Sequence, residues 1–243
     1  MTATYVYGLT YADVTPPNDL IGVDGAPVEV VTCGDLAALV SAAPTERPLG
    51  TRDDLLSHER VVDAVARTAT VLPMRFGSVI ERFGVVDELL APHLEELGAT
   101  LSELDGQVQY TVKGQYVREV VLREIVESDQ EIAALNDKVR DEPEERVYQE
   151  RVRLGELVVG ELEELRHREG AVAHERLSAL ASSAIVRSSP DPEQMLDSAF
   201  LVPRQRAAEF EDAVERLASE STGRVRYRLG GPLAPYDFVA ARE

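Results

Sequence analysis

The sequence predicts an α+β protein of two α/β domains, 1–105 and 106–243. Three observations carry this. Short stretches rich in β-branched residues alternate with amphipathic runs at helical spacing. Aromatic residues are only 5% of the chain and Trp is absent, so the cores must be built mainly from Val, Leu and Ala, which suits helices packed on small sheets. The second half orders as strand, helices, strand, strand, helix, strand. That is the βαββαβ order of a ferredoxin-like domain, here modified by a long helical segment that expands the first crossover.

In the first half, Thr4–Leu9 reads as a strand, followed by a loop through Pro16, Pro17, Asn18 and Gly25. Val28–Thr32 and Leu36–Ser41 flank Cys33-Gly34-Asp35 as a hairpin. Thr51 is positioned to cap a helix with Asp53 and Asp54 in its first turn, and Leu55, Val62, Val65 and Ala69 recur along it. Thr70–Ile80 is mostly apolar but is broken by Pro73 and Gly77, so it reads as a buried strand or bent crossover. Arg75 stands in its middle without an adjacent acid. A guanidinium buried there must find a carboxylate or backbone carbonyls. Arg75 and Phe76 either form a recognition corner, or Arg75 ties helices to a sheet. Val85 to about Leu104 is helical with a break at Pro92, and Leu104-Asp105-Gly106 marks the domain boundary.

In the second half, Val108, Tyr110 and Val112 alternate with polar neighbours as a half-buried strand. Helices are expected over Tyr116–Glu127 and, capped by Ser128, over Asp129–Val139. A long charged helix starts near Pro143 and reaches about Arg168, with apolar positions 147, 154, 158, 162 and 165; Gly170 should end it. A short helix near His174–Leu180, strands at Ala184–Arg187 and Met195–Val202, a helix bearing Phe210, Val214 and Leu217, and a last strand from Gly223 complete the order.

Chemistry is sparse. The 44 acidic residues outnumber 25 basic ones for a net charge of −19, which repels nucleic acid and anionic membrane surfaces. Arg224, Arg226 and Arg228 share one strand face, but the aromatic platform of an RNA-binding sheet is missing there, and pairing with the protein's own glutamates is expected. The single Cys33 excludes an internal disulfide and reads as a buried small hydrophobe in a reducing compartment. The start of the chain lacks the pattern of a signal peptide, and no run reaches membrane-spanning length. His58, His93, His167 and His174 are scattered, with His167 and His174 expected to face solvent. Neither a helical zinc motif, nor a glycine-rich phosphate loop, nor a nucleophile elbow is visible, so no cofactor and no enzymatic activity are expected.

The chain closes on Gly230-Gly231-Pro232-Leu233-Ala234-Pro235-Tyr236-Asp237-Phe238-Val239, which resembles the closing motif of the gas vesicle protein GvpF/GvpL family. Leu72-Pro73-Met74-Arg75-Phe76-Gly77 looks like that family's central motif. Val112–Glu119 and Leu196–Val202 lie where its remaining landmarks would. Leu233 replaces the bulky aromatic of a commoner form, which leaves the F and L subtypes open. The resemblance implies two α/β domains, the second modified ferredoxin-like. It also implies a cytoplasmic accessory protein of gas vesicle assembly that binds the hydrophobic shell subunit GvpA, as a chaperone-like or nucleating factor and a possible minor vesicle component. Arg75, Phe76, Pro232, Tyr236 and Phe238 are the candidate partner contacts. Two rivals stand beside this reading: a scaffold that holds other gas vesicle accessory proteins through the charged helix, and a small-ligand regulatory ferredoxin-like domain.

Overall fold

β1 (Ala3–Tyr11) is the axis of the first sheet, and seven of its nine residues are buried, Tyr5, Tyr7 and Leu9 among them. The computed structural model describes residues 3–17, 19–81, 84–143 and 146–240. Asn18 of the expected loop, the segment Met1-Thr2 and Glu144-Glu145 of the expected helix start therefore lie outside the described residues. The hairpin β2 (Glu29–Cys33) and β3 (Leu36–Ala42) forms as expected, and β3 pairs antiparallel with β1. On the other side of β1 lie β4 (Val71–Pro73) and β5 (Val79–Glu81), both antiparallel to it. The central motif is thus one strand interrupted by an excursion at Met74–Ser78.

α1 (Arg52–Ala66) starts at Thr51 with a full capping box: the Thr51 hydroxyl accepts from the Asp54 amide, and the Asp54 carboxylate accepts from the Thr51 amide. Arg47 donates to both Asp54 oxygens, which carries that carboxyl far below the usual range; the Thr51 and Gly50 donors act in the same direction against burial. Its apolar face buries Val61, Val62 and Val65 against Tyr5, Tyr7 and Leu39. The helix expected over 85–104 is broken at Pro92: a π-helical turn (Val85–Leu90) and a short 3-10 turn (Ala91–His93) lead into α2 (Leu94–Leu104).

The second sheet is also antiparallel, in the order β7-β8-β6-β9, with β6 at Gln107–Tyr116, β7 at Ser183–Val186, β8 at Gln194–Pro203 and β9 at Val225–Leu233. Between β6 and β7 run α3 (Arg118–Ser128), α4 (Gln130–Asp141) and α5 (Tyr148–Ser178). The cap of α4 is Asp129 rather than Ser128, since its carboxylate accepts from the Glu131 and Ile132 amides. α6 (Ala207–Glu220) buries Phe210, Val214 and Leu217, and Phe210 meets Phe200 of β8 with ring centroids 5.3 Å apart.

Three expectations are corrected. Gly170 does not end the long helix: α5 continues eight residues beyond it, because Gly170 is the point where the helix presses on β8. Cys33 is half-buried at the end of β2, since the strand reaches its turn there. His174 does not face solvent; it is half-buried, its Nδ1 lies 3.0 Å from Ser198 Oγ, and its ring packs on Phe200.

The chain falls into two units, Met1–Tyr110 with Leu201–Gln205 and Gly231–Glu243, and Thr111–Phe200 with Arg206–Gly230. In the second unit Arg224 donates to both oxygens of Glu169 at 2.8 Å and to Glu124 at 2.7 Å, and lies over the Tyr116 ring. The expected pairing with the protein's own glutamates holds for Arg224, while Arg226 and Arg228 are exposed.

Candidate functional site: a groove on the central motif

The excursion Met74–Ser78 is held open at its base and turned at its tip. Met74 donates to the Tyr7 carbonyl and Val6 to the Ser78 carbonyl, both at 2.9 Å, so β1 keeps its ladder on either side. At the tip the Ser78 amide and hydroxyl both donate to the Arg75 carbonyl, at 3.2 and 2.8 Å. Gly77, third in that turn, has φ +88°, the value a type II turn demands there. Its amide donates to the Tyr5 hydroxyl at 3.0 Å. The two signals that broke the strand in the sequence, Pro73 and Gly77, therefore serve to project Arg75 and Phe76.

Arg75 is exposed, so the expectation of a buried guanidinium is corrected: it rides on the turn instead of inside the sheet. Phe76 is half-buried and folds back over the core, 5.9 Å edge-on from the His58 ring. Tyr236 arrives from the far end of the chain on α7 (Tyr236–Ala240) and stands 6.2 Å from the same imidazole. The tail is fixed by two side chains. Ala234 donates to Asp63 of α1 at 3.0 Å, and Asp237 and Gln109 of β6 exchange hydrogen bonds. Pro232 is exposed, follows a cis peptide bond, and lies outside this cluster; Phe238 is buried.

Around these residues α1, the motif, α2 and α7 line a groove of about 620 Å³, with Leu55, Leu72, Met74, Phe76, Leu97 and Tyr236 as its apolar wall. Arg75, Glu59 and Glu96 line it as well. Leu55 is 42% exposed although it belongs to the apolar pattern of α1. His58, which composition and spacing left unassigned, is the hub beneath: 1% exposed, with Nδ1 3.0 Å from the Tyr5 hydroxyl. That hydroxyl also accepts from the Gly77 amide, so Tyr5 ties the imidazole of α1 to the turn of the central motif. Burial lowers the His58 pKa from 6.5 to about 4, and the Met74 backbone partly offsets this without closing a hydrogen bond of sound geometry to Nε2. Burial likewise raises the Tyr236 phenol, helped by Asp63 and Glu59. Its hydroxyl is buried without a hydrogen-bond partner among the described residues. The signal for His58 was available: with Val61, Val62 and Val65 it falls on the buried face of α1.

The groove combines this apolar wall with the charged side chains of Glu59, Arg75 and Glu96. Among the described residues no group of three His, Cys, Asp or Glu side chains could hold a metal ion, and no helix is long and apolar enough to cross a membrane.

The model of the family described as gas vesicle synthesis protein GvpL/GvpF matches residues 3–240. Gas vesicle protein F of Streptomyces sp. (strain CB03234) is 32% identical, over 98% of this chain and 99% of its own. Gas vesicle protein L of the same strain is 29% identical, over 98% and 93%. The crystal structure of gas vesicle protein GvpF from Anabaena sp. PCC7120 superposes with a TM-score of 0.83 at 27% identity, covering 98% of both chains. Both the turn that carries Arg75 and Phe76 and the tail that brings Tyr236 beside them lie within the matched span, and the chain belongs to the GvpL/GvpF family of gas vesicle proteins.

Proposed function

We propose that this gas vesicle accessory protein acts in assembly by binding the hydrophobic shell subunit GvpA through the groove on its central motif, in a chaperone-like or nucleating role in the cytoplasm. The observation that carries this reading is the convergence of Arg75, Phe76 and Tyr236 on one apolar groove with the exposed Leu55 at its rim. A large acidic excess keeps such a binder dispersed while a limited patch holds an apolar partner. Pro232 and Phe238 then act indirectly, by placing α7. We also read the second unit as a modified ferredoxin-like domain. The chain order strand, three helices, strand, strand, helix, strand and the sheet order β7-β8-β6-β9 support this.

The test is co-purification of GvpA with this protein from cells that make both. Wild type should retain GvpA; Arg75→Ala, at an exposed turn position, should keep its circular dichroism spectrum and lose at least half of the captured subunit. Absence of GvpA from the wild-type complex would remove the reading.

A second reading is favoured by α5. Tyr148, Val152 and Val159 are exposed by 69%, 45% and 56%, and they follow one another at heptad-compatible spacing. This is the face a scaffold would offer to other gas vesicle accessory proteins. The double substitution Val152→Asp, Val159→Asp should then abolish capture of those proteins and spare GvpA.

A further inference from the structure

The second unit holds a cleft of about 480 Å³ between the later half of α5 and the β7–β8 hairpin. Its lining reverses the charge of the chain. Arg166, His167, His174 and Arg187 face one carboxylate, Asp197, in a protein where acids outnumber bases 44 to 25. That carboxylate is already shared: Lys113 lies 3.2 Å from one oxygen and Arg187 3.3 Å from the other, and Gln194 donates to it at 2.8 Å. Arg166 is half-buried and has no hydrogen-bond or ion-pair partner among the described residues. A partly desolvated guanidinium without an acceptor favours an anion that supplies one.

The remaining lining is arranged rather than loose. His174 is fixed by Ser198 at Nδ1 and by the Phe200 ring, so its other nitrogen has a set direction. Arg187 is anchored to β8 twice, through the Asp197 carboxylate and through its amide to the Asp197 carbonyl at 2.8 Å. Gly170 and Met195, where α5 comes against β8, both line the cleft. Ala171 and Val186 supply an apolar side, and Val186 is 66% exposed.

We propose that this cleft binds a small oxyanion-bearing ligand, a phosphate monoester or carboxylate with an apolar body. Arg166 and His174 hold the anionic group, Arg187 adds positive field, and Ala171 and Val186 take the apolar part. The cleft shares no lining residue with the groove on the central motif.

The experiment is a titration of the full chain, followed by amide and histidine NMR resonances, with three probes: phenyl phosphate, benzoate and inorganic phosphate. We expect phenyl phosphate or benzoate to shift His174 and the 186–189 backbone, with affinity falling as salt rises. Whichever of the two binds identifies the oxyanion, and inorganic phosphate should bind more weakly for want of an apolar body. Arg166→Gln, at a half-buried side chain that makes no hydrogen bond or ion pair among the described residues, should weaken binding about tenfold or more, the loss of one charge-assisted hydrogen bond. His174→Gln should weaken it too. If neither organic probe shifts these resonances, or if Arg166→Gln binds as wild type does, the proposal is overturned.

Discussion

A β-carbon on Gly170 of α5 would stand 2.2 Å from the carbonyl oxygen of Met195 in β8. The opposing atom is backbone, so relief requires moving a helix or a strand. Gly155 and Gly160, on the same helix, meet nothing within 4 Å. We therefore expect opposite signs from one substitution. Gly170→Ala should destabilise the protein by about 3 kcal/mol, and Gly155→Ala or Gly160→Ala should stabilise it by up to about 1 kcal/mol. Urea unfolding of the three variants checks this, and equal effects at all three positions would contradict the close packing of α5 on β8.

The same glycine shows what a sequence carries and what it hides. A helix-ending glycine and a close-approach glycine look alike from the chain, because the distinction lies in a strand 25 residues away at Met195. Local signals were legible: the Thr51 cap, the alternation of Val108, Tyr110 and Val112, and the break at Pro92 all depend on neighbours within a few residues. The cap of α4 moved by one residue because Ser128 and Asp129 are both capping types and only geometry selects between them. The groove was half legible. Arg75 and Phe76 stood out as an anomaly in an apolar run, but nothing local brings Tyr236 to His58 from so distant a part of the chain.

The buried imidazole of His58 should set the acid limb of stability. Its folded pKa is about 4 against an ordinary 6.5, so the unfolded chain takes up the proton first. Its contribution is complete above pH 6.5 and is lost as pH falls toward about 4, at no more than about 1.4 kcal/mol per pH unit. Chemical denaturation across that window should show the slope in wild type and a flatter profile in His58→Gln. The variant should also be less stable at pH 7, because the Tyr5 hydroxyl loses its imidazole partner in the core.

Asp54 governs a lower window. Its folded pKa is depressed by Arg47 first and by the Thr51 and Gly50 donors, so its stabilisation is present above the ordinary carboxylate range and disappears as pH falls through the depressed value. Asp54→Asn should remove that low-pH dependence while leaving the His58 window intact. Thr51→Ala, which breaks the other half of the capping box, should cost about 1 kcal/mol at pH 7. If the unfolding profiles of Asp54→Asn and His58→Gln changed in the same pH window, the assignment of separate windows would be wrong.

Tyr236 separates the ring from the hydroxyl in the groove wall. The ring packs beside His58, whereas the hydroxyl is buried without a partner among the described residues and its phenol is held protonated by burial. Removing a polar group that makes no bond relieves a desolvation cost. Tyr236→Phe should therefore raise stability by about 1 kcal/mol, or about 2–4 °C in Tm. Tyr236→Ala, which deletes the ring as well, should lower stability by about 2 kcal/mol. Thermal unfolding of the pair at pH 7 reads both signs. A loss of stability in Tyr236→Phe would mean that the hydroxyl has a partner in solution, and the wall of the groove would then be polar where the structure makes it apolar.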